Sequence, residues 1–261
     1  MNRLQNKVII VTGGTQGVGE AIAIHAARQG AAGVVICGRQ VDKGRQVVER
    51  IESEGAAGLF VPADLSVVEA CRNIVRACDE RFGRVDGLVN AAANTNRGTL
   101  EETTVEFWDH LFAVNVRAPF LLTQESVRIM QRERIPGSIV NIQSVAVYCG
   151  QPNLTAYSTT KGALATFTKN TANALIADRI RVNGINLGWT DTPAEHEVQK
   201  QDGSPANWLK LAEQKSPYGR LINPDDVAHL CVYLLSDESG LMTGANIDHS
   251  QRVIGFTPPE R

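Results

Sequence analysis

Residues 7–19 read KVIIVTGGTQGVG, and they say more about architecture than any other stretch of this 261-residue chain. After Lys7, residues 8–11 are apolar and β-branched, as in a buried parallel strand. A glycine cluster follows, and an alanine-rich helical segment then covers residues 20–29. Glycines at such a junction let the backbone turn tightly and approach a pyrophosphate at the positive end of the helix. A glycine cluster alone often marks a plain turn, but the strand and helix around this one predict a dinucleotide site.

Beyond this unit, short apolar runs alternate with helix-length amphipathic segments, the pattern of a parallel sheet covered on both faces. The predicted strands are residues 7–11, 34–37, 59–61, 88–90, 138–144, 180–187 and 245–248. The predicted helices are residues 20–29, 41–54, 67–82, 104–132, 153–176 and 225–235, and 193–217 is the least regular stretch, expected to form the substrate loop. The length and the absence of a linker or repeat predict one domain over residues 1–261.

The composition narrows the function classes. With a net charge of −2 and scattered Lys and Arg, the chain has no positive electrostatic field that would attract nucleic acid or an anionic membrane. No apolar run approaches ~18 residues and no signal peptide is recognisable, so we expect a soluble, cytoplasmic protein. Five cysteines without a Cys-x-x-Cys are interpreted as reduced packing residues, with Cys149 expected to line the pocket and a further role for it left open. The five histidines form no ligand pair, so no metal is expected.

Tyr157 and Lys161 stand four residues apart in a predicted helix, so their side chains share one face. Ser144 lies thirteen residues before Tyr157, at the end of a predicted strand. A neighbouring ammonium favours a phenolate, so Lys161 is expected to lower the pKa of Tyr157 from about 10 towards the working pH. Such a phenol can carry a proton to or from a carbonyl oxygen. The pair alone is weak evidence, because this spacing also arises by chance.

Taken together, these motifs resemble the short-chain dehydrogenase/reductase family over residues from about 7 to about 248. The family's Thr-Gly-x-x-x-Gly-x-Gly is matched by Thr12, Gly13, Gly17 and Gly19, and its acidic residue after the third strand by Asp64. The further matches are Asn90-Ala91-Ala92-Ala93 for Asn-Asn-Ala-Gly, Asn115 in Val-Asn-Val, Leu187-Gly188 for Pro-Gly, and Thr190 with Thr192. The resemblance implies a Rossmann-like, doubly wound α/β fold with a mostly parallel seven-stranded sheet. It also implies an NAD(P)-dependent oxidoreductase that interconverts a secondary alcohol and a ketone.

The resemblance implies a catalytic set of Asn115, Ser144, Tyr157 and Lys161. Tyr157 would be the acid/base, Lys161 would also bond the nicotinamide ribose, and Ser144 would donate to the substrate oxygen. Asn115 would hold a water next to Lys161; the alternative is an amide that bonds backbone inside a helix kink. The implied cofactor-binding residues are Gly13, Thr15, Gln16, Gly17, Val18, Gly19, Gly38, Arg39, Asp64, Leu65, Asn90, Ala91, Tyr157, Lys161, Gly188, Thr190 and Thr192.

Cofactor choice depends on the end of the second strand. A carboxylate there would bond the ribose hydroxyls and repel a 2′-phosphate. This chain has Gly38-Arg39 instead, and a guanidinium can grip a phosphate in a fork. We therefore expect NADP, with NAD as the alternative if Arg39 is only a solvated loop charge.

The substrate is the least determined feature. Ala91, Ala93, Leu187 and the Asp248-His249-Ser250 segment depart from the family pattern and weigh against a direct assignment to the acyl-carrier reductases. The residues expected at the pocket rim mix amides, a carboxylate, an imidazole and an aromatic: Asn94, Thr95, Asn96, Val145, Cys149, Gln151, Trp189, Glu195 and His196. This mixture favours a small polar ketone, alcohol, sugar or polyol as the substrate. A 3-oxoacyl thioester would instead require an apolar tunnel for its acyl chain. A non-catalytic nucleotide-binding regulator is the remaining alternative, although such a protein usually lacks one of the reacting groups.

Family members usually assemble as tetramers or dimers through the two long helices that here carry Asn115 and Tyr157. The apolar residues on those helices exceed what one packed face needs. They are Phe107, Trp108, Phe112, Phe120, Leu164, Phe167 and Ala172. We therefore expect a homo-oligomer.

Overall fold

The computed structural model describes residues 2–148 and 150–253. Within them lies a parallel seven-stranded sheet with helices on both faces, which confirms the predicted α/β fold. The strands are β1 Val8–Thr12, β2 Gly33–Gly38, β3 Ala57–Pro62, β4 Gly87–Asn90, β5 Ser138–Ser144, β6 Arg181–Leu187 and β7 Asn246–His249. The helices are α1 Gly17–Arg28, α2 Val41–Ser53, α3 Val68–Phe82, α4 Val105–Phe112, α5 Ala118–Arg132, α6 Thr155–Ala174, α7 Pro193–Gln201, α8 Trp208–Gln214 and α9 Pro224–Leu235.

The strand order is β3-β2-β1-β4-β5-β6-β7. Strands β2 and β3 are thus added on one side of β1 and strands β4 to β7 on the other, with the switch between β1 and β4. A crevice opens at such a switch point, outside the carboxyl ends of the strands, and ligands of open α/β sheets bind there. In this chain the glycine-rich loop follows β1 and the run from Asn90 to Asn94 follows β4. The fold therefore brings the loops that follow β1, β2, β4, β5 and β6 to one edge.

Two apolar cores hold the helices to the sheet. One core joins α1 and α9 to one face, through residues such as Ile22 and Val232. The other joins α3, α5 and α6 to the opposite face, through residues such as Ile74 and Leu122. Strand β1, which lies between the two cores, is buried along its whole length, which explains why it reads as an almost continuous apolar run. Four free cysteines, Cys37, Cys71, Cys78 and Cys231, are buried here as packing residues.

The segment predicted as one helix over residues 104–132 has an irregular centre. A π-helical turn, Ala113–Arg117, separates α4 from α5 and carries Asn115. A π turn holds one residue more than an α turn, and such turns occur frequently at functional sites.

The stretch predicted as the least regular, residues 193–217, contains α7 and α8, two helices that the sequence analysis did not predict. Thr192 caps α7 by accepting a hydrogen bond from the Glu195 amide at 3.1 Å, and Pro193 occupies the first turn. Proline just after a threonine cap is a common start for a helix. No helix in residues 2–148 or 150–253 combines the length and the apolar character needed to cross a bilayer.

Candidate active site

A cleft of about 1280 Å³ runs along the carboxyl edge of the sheet and over the switch point. Its two ends differ in chemistry. One end is walled by the glycine-rich loop and the loops that follow β2 and β3, and the other by the chain after β4 and by α7. Ser144, Tyr157 and Lys161 lie between the two ends, where a reacting molecule would reach both.

The glycine-rich loop leaves a cradle that side chains would fill. Gly13 has φ +65°, and a Cβ there would stand 2.8 Å from the Ala92 Cα. A Cβ on Gly19 would stand 2.3 Å from the Gly13 carbonyl oxygen, so the first turn of α1 can lie directly on the loop only without it. Gln16, the residue before α1, gives the helix no side-chain hydrogen bond. The positive end of α1 is therefore open towards the cleft, as a pyrophosphate requires.

The chain after β2 carries the cationic end of the cleft. Arg39 is exposed and lines it, and a Cβ on the preceding Gly38 would stand 2.7 Å from the Thr15 side chain. Lys43, in the first turn of α2, donates a hydrogen bond to Gln16 Oε1 at 3.0 Å. A second cation thus stands beside the glycine-rich loop, at a position that the sequence analysis missed.

Asp64 marks the far side of this end, after β3. Its Oδ1 accepts hydrogen bonds from the Ser66 amide at 2.9 Å and the Ser66 hydroxyl at 2.7 Å. These bonds, the amide first, lower the pKa of Asp64, and the charge of Arg39 adds to the effect. The carboxylate is therefore held in one orientation at the edge of the cleft.

Tyr157 keeps partial contact with the cleft, and the protein packed around its phenol raises the pKa to about 12. A side-chain hydrogen bond with Ser144 and the charge of Arg97 act in the opposite direction, while Glu195 reinforces the rise. The predicted lowering by Lys161 is therefore not what the structure shows. Burial has the largest effect on this pKa, while the Lys161 ammonium lies 5.6 Å from the centre of the Tyr157 ring and donates to the Ile142 carbonyl.

Lys161 is buried, and its Nζ donates to the Ile142 carbonyl at 2.9 Å. Burial lowers the pKa of Lys161 to about 8. An ammonium has three hydrogens, so this bond leaves two for a molecule in the cleft. Ser144 Oγ accepts from the Ala146 amide at 3.1 Å, and the same hydroxyl group is hydrogen-bonded to Tyr157.

Asn115 lies behind the cleft wall, in the π turn. Its Oδ1 accepts from the Asn94 amide at 2.8 Å, and its Nδ2 donates to the Asn94 carbonyl at 2.9 Å. Nδ2 also donates to Thr160 Oγ1 at 3.1 Å. Asn115 therefore bonds backbone inside a helix irregularity, which is the alternative that the sequence analysis left open.

The substrate end is crossed by an ionic cluster around Arg97, which the sequence analysis did not find. Arg97 pairs with Glu195 at 3.0 Å and with Asp202 at 2.6 Å. Glu195 Oε1 also accepts from Trp189 Nε1 at 2.9 Å and from Gln199 Nε2 at 2.7 Å. These contacts fix α7 over Tyr157.

Most of the predicted site residues meet in this one cleft. Those that line it are Gly13, Thr15, Gln16, Gly17, Val18, Gly19, Gly38, Arg39, Asp64, Leu65, Ala91, Ser144, Tyr157, Lys161, Gly188, Thr190 and Thr192. The predicted rim residues Asn94, Thr95, Asn96, Val145, Gln151, Trp189 and Glu195 line it too.

Four predicted residues are not placed on the cleft wall. Asn90 is buried behind it and donates to Asn141 at 2.8 Å, and Asn115 bonds the Asn94 backbone as above. His196 faces away, paired with Asp191 at 2.8 Å and packed edge-on against a tryptophan ring. Cys149 lies outside the described residues.

Comparisons with known proteins agree with this arrangement. A family model described as Enoyl-(Acyl carrier protein) reductase matches residues 13–251. An NADP-dependent (R)-specific alcohol dehydrogenase of Lentilactobacillus kefiri is 35% identical over 94% of this chain and 95% of that protein. A 3-oxoacyl-acyl-carrier-protein reductase of Thermotoga maritima is 33% identical over 93% of this chain and 95% of its own.

Among solved structures, a short-chain dehydrogenase/reductase from Serratia marcescens superposes with a TM-score of 0.85 at 30% identity. The match covers 94% of this chain and 97% of that one. Sequence, fold and cleft thus lead to the same family. The chain belongs to the short-chain dehydrogenase/reductase family of oxidoreductases.

Proposed function

We propose that this protein is an NADP-preferring oxidoreductase that interconverts a small polar ketone and its secondary alcohol. The observation that carries the proposal is the meeting of Ser144, Tyr157 and Lys161 in one cleft with the glycine-rich cradle. A nicotinamide cofactor supplies the hydride when it is bound, and the protein supplies orientation and proton transfer.

The proton transfer follows from the environment of Tyr157. Because the pKa of Tyr157 is raised to about 12, its hydroxyl keeps its proton at neutral pH and can give it to a carbonyl oxygen. Ser144, which hydrogen-bonds Tyr157 in this structure, donates its hydroxyl hydrogen to the same oxygen once substrate is bound and stabilises the charge that develops there. Lys161 uses its two remaining hydrogens to bond the cofactor ribose and to stabilise the phenolate left behind. At neutral pH Tyr157 is therefore in the protonated state that carbonyl reduction requires.

The preference for NADP is supported by two cations at the adenosine end. Arg39 lines the cleft after β2, and no carboxylate occupies the position that would repel a 2′-phosphate. Lys43 stands beside Gln16 and adds positive charge to the same corner. The relative from Lentilactobacillus kefiri is named as NADP-dependent.

The polar substrate is supported by the walls beyond Tyr157. Asn94, Thr95, Asn96, Gln151 and Glu195 all line this end of the cleft. Such a lining suits hydroxyl groups better than a long alkyl chain. The second candidate substrate is a 3-oxoacyl thioester, because one relative is named as a 3-oxoacyl-acyl-carrier-protein reductase.

Self-association is proposed as well. Phe112, Val116, Phe120 and Phe167 surround an apolar hollow of about 640 Å³ on the outside of α4, α5 and α6. Phe120 is 44% exposed although it is a large apolar side chain. Covering this face with a second copy of the chain would remove it from water.

The test is a substrate scan with both cofactors. Purified protein is assayed for NADPH and NADH oxidation with small ketones, hydroxyketones, ketoses and a 3-oxoacyl thioester. We expect reduction of hydroxylated ketones with NADPH. A kcat/KM for the thioester about a hundredfold above every polar ketone, roughly 2.7 kcal/mol in transition-state binding, would overturn the polar-substrate assignment. Absence of turnover with every substrate would overturn the oxidoreductase proposal.

A further inference from the structure

Glu195 is the most constrained acidic side chain of the cleft. It lies in the first turn of α7, and its Oε1 accepts three hydrogen bonds, from Arg97, Trp189 and Gln199. Its Oε2 receives no donor from residues 2–148 or 150–253. The side chain is only 15% exposed, so the oxygen left over is held nearly as rigidly as the one that is bonded.

The cluster around Glu195 keeps an excess of negative charge. Arg97 is the only cation that contacts Glu195 among the described residues, and it divides its guanidinium between Glu195 and Asp202. One positive charge therefore faces two negative charges. A carboxylate with one free oxygen and incomplete neutralisation is a strong hydrogen-bond acceptor.

We propose that Glu195 is a specificity-determining residue whose Oε2 accepts a hydrogen bond from a hydroxyl group of the substrate. The assignment rests on the proposed function and names its substrate class as neutral hydroxylated ketones and the matching diols. An apolar substrate would leave the carboxylate unpaired once it displaced water, and an anionic one would meet the excess charge directly.

Replacing Glu195 by glutamine should change the hydrogen-bonding character of the Oε2 position alone. Arg97, Trp189 and Gln199 all donate to the Oε1 position. In the glutamine variant these donors favour the amide oxygen at that position, so the amide NH₂ takes the position of Oε2. The variant therefore replaces a charged acceptor by a neutral donor at the substrate, while the bonds that fix α7 remain. Asp202→Asn is the matched control, because Asp202 pairs with the other arm of Arg97 and does not line the cleft.

The test compares isosteric ketones that differ only in a terminal hydroxyl or methyl group. The pairs are hydroxyacetone with 2-butanone, 4-hydroxy-2-butanone with 2-pentanone, and 5-hydroxy-2-pentanone with 2-hexanone. For each pair, the ratio of the two kcat/KM values with NADPH is measured in wild type, Glu195→Gln and Asp202→Asn. A merely structural role of Glu195 would lower both members of a pair together and leave the ratio unchanged.

We expect wild type to favour at least one hydroxyketone by about tenfold or more, as one charge-assisted hydrogen bond allows. Glu195→Gln should reduce that ratio about tenfold, whereas Asp202→Asn should change it by no more than about twofold, because it leaves the Glu195 carboxylate in place and only frees Arg97 to neutralise it more fully. If Glu195→Gln fails to fold, Glu195→Asp, which withdraws the carboxylate by one methylene, should reduce the ratio instead. Ratios near one in wild type, or ratios unchanged in the Glu195 variants, would overturn the assignment while the oxidoreductase activity stands. Absence of turnover with all six ketones would overturn the proposed function and this assignment with it.

Discussion

The side-chain amide of Asn115 binds both backbone groups of Asn94, accepting from its N–H at 2.8 Å and donating to its carbonyl at 2.9 Å. The Asn115 side chain thus makes the two hydrogen bonds to the Asn94 backbone that a neighbouring strand would otherwise make. The run held in this way leads to Arg97, which pairs with α7. The π turn therefore positions the substrate end of the cleft.

Asn115→Ala should destabilise the protein by about 1–3 kcal/mol, because it leaves the part-buried N–H and carbonyl of Asn94 without their side-chain partner. The free energy of unfolding in urea measures this cost. Asn94→Ala is the control and should cost less than about 1 kcal/mol, since within residues 2–148 and 150–253 the Asn94 side chain bonds only the Asn96 amide, at an exposed site. A large loss of activity in Asn115→Ala at unchanged stability would instead favour the role as a water-holding catalytic residue.

Tyr157→Phe removes the proposed proton donor and should lower kcat by about two decades or more, with little change in NADPH affinity. Steady-state kinetics and titration of NADPH fluorescence measure the two effects separately. Tyr148→Phe is the matched control, because Tyr148 is exposed and does not line the cleft. Activity of Tyr157→Phe within about threefold of wild type would contradict the assignment.

Arg39→Ala should weaken NADPH binding by about tenfold or more and NADH binding by less than about threefold, since a phosphate pair is charge-assisted. Lys43→Ala should act in the same direction but less strongly, because Lys43 also bonds Gln16. Equal losses for the two cofactors would make Arg39 a solvated loop charge and NAD the better assignment. Fluorescence titration with each reduced cofactor gives the comparison.

Lys161→Met should stabilise the protein at pH 7 although it abolishes the proposed chemistry. Burial lowers the pKa of Lys161 from 10.5 to about 8, so the unfolded chain binds this proton more tightly than the folded one. Below pH 8 the buried ammonium costs the fold up to about 3 kcal/mol, at ~1.4 kcal/mol for each pKa unit.

The cost disappears as the pH rises from about 8 to 10.5, where the folded protein has released the proton and the unfolded chain has not. The difference in unfolding free energy between Lys161→Met and wild type should therefore shrink between pH 7 and pH 10. Lys169→Met, at an exposed position of the same helix, should show no such trend. A variant less stable than wild type at pH 7 would show that the bond to Ile142 outweighs the burial.

Phe120→Glu should shift the protein towards a monomer of 28.3 kDa, because it places a charge in the apolar hollow beside Phe167. Light scattering at micromolar concentration should give two or four times that mass for wild type. Ile176→Glu changes an apolar side chain that is even more exposed, beyond the end of α6, and should leave the mass unchanged. A wild-type mass of one chain would contradict the proposed assembly.

The sequence predicted the strands well, because most of them are short runs rich in apolar residues, β-branched in β1 and β2, between more polar segments. It also singled out Ser144, Tyr157 and Lys161, and the fold brings all three to one cleft. The contacts of Arg97 were not predictable in this way, because its partners follow it by 98 and 105 residues and no motif marks them. The direction of the Tyr157 pKa was missed for a related reason: spacing along a helix does not reveal how deeply a side chain is buried.

The π turn at Ala113–Arg117 has a consequence for how this chain can change. Deleting one residue there would leave a regular helix with better backbone geometry, yet it would rotate α4 by about 100° relative to α5. Phe107 and His110, which line the cleft from α4, would swing to a different wall. Single-residue insertions and deletions in this segment therefore damage the cleft, and we expect descendants of this chain to keep the length of the turn together with Asn115, while the other side chains of the turn vary.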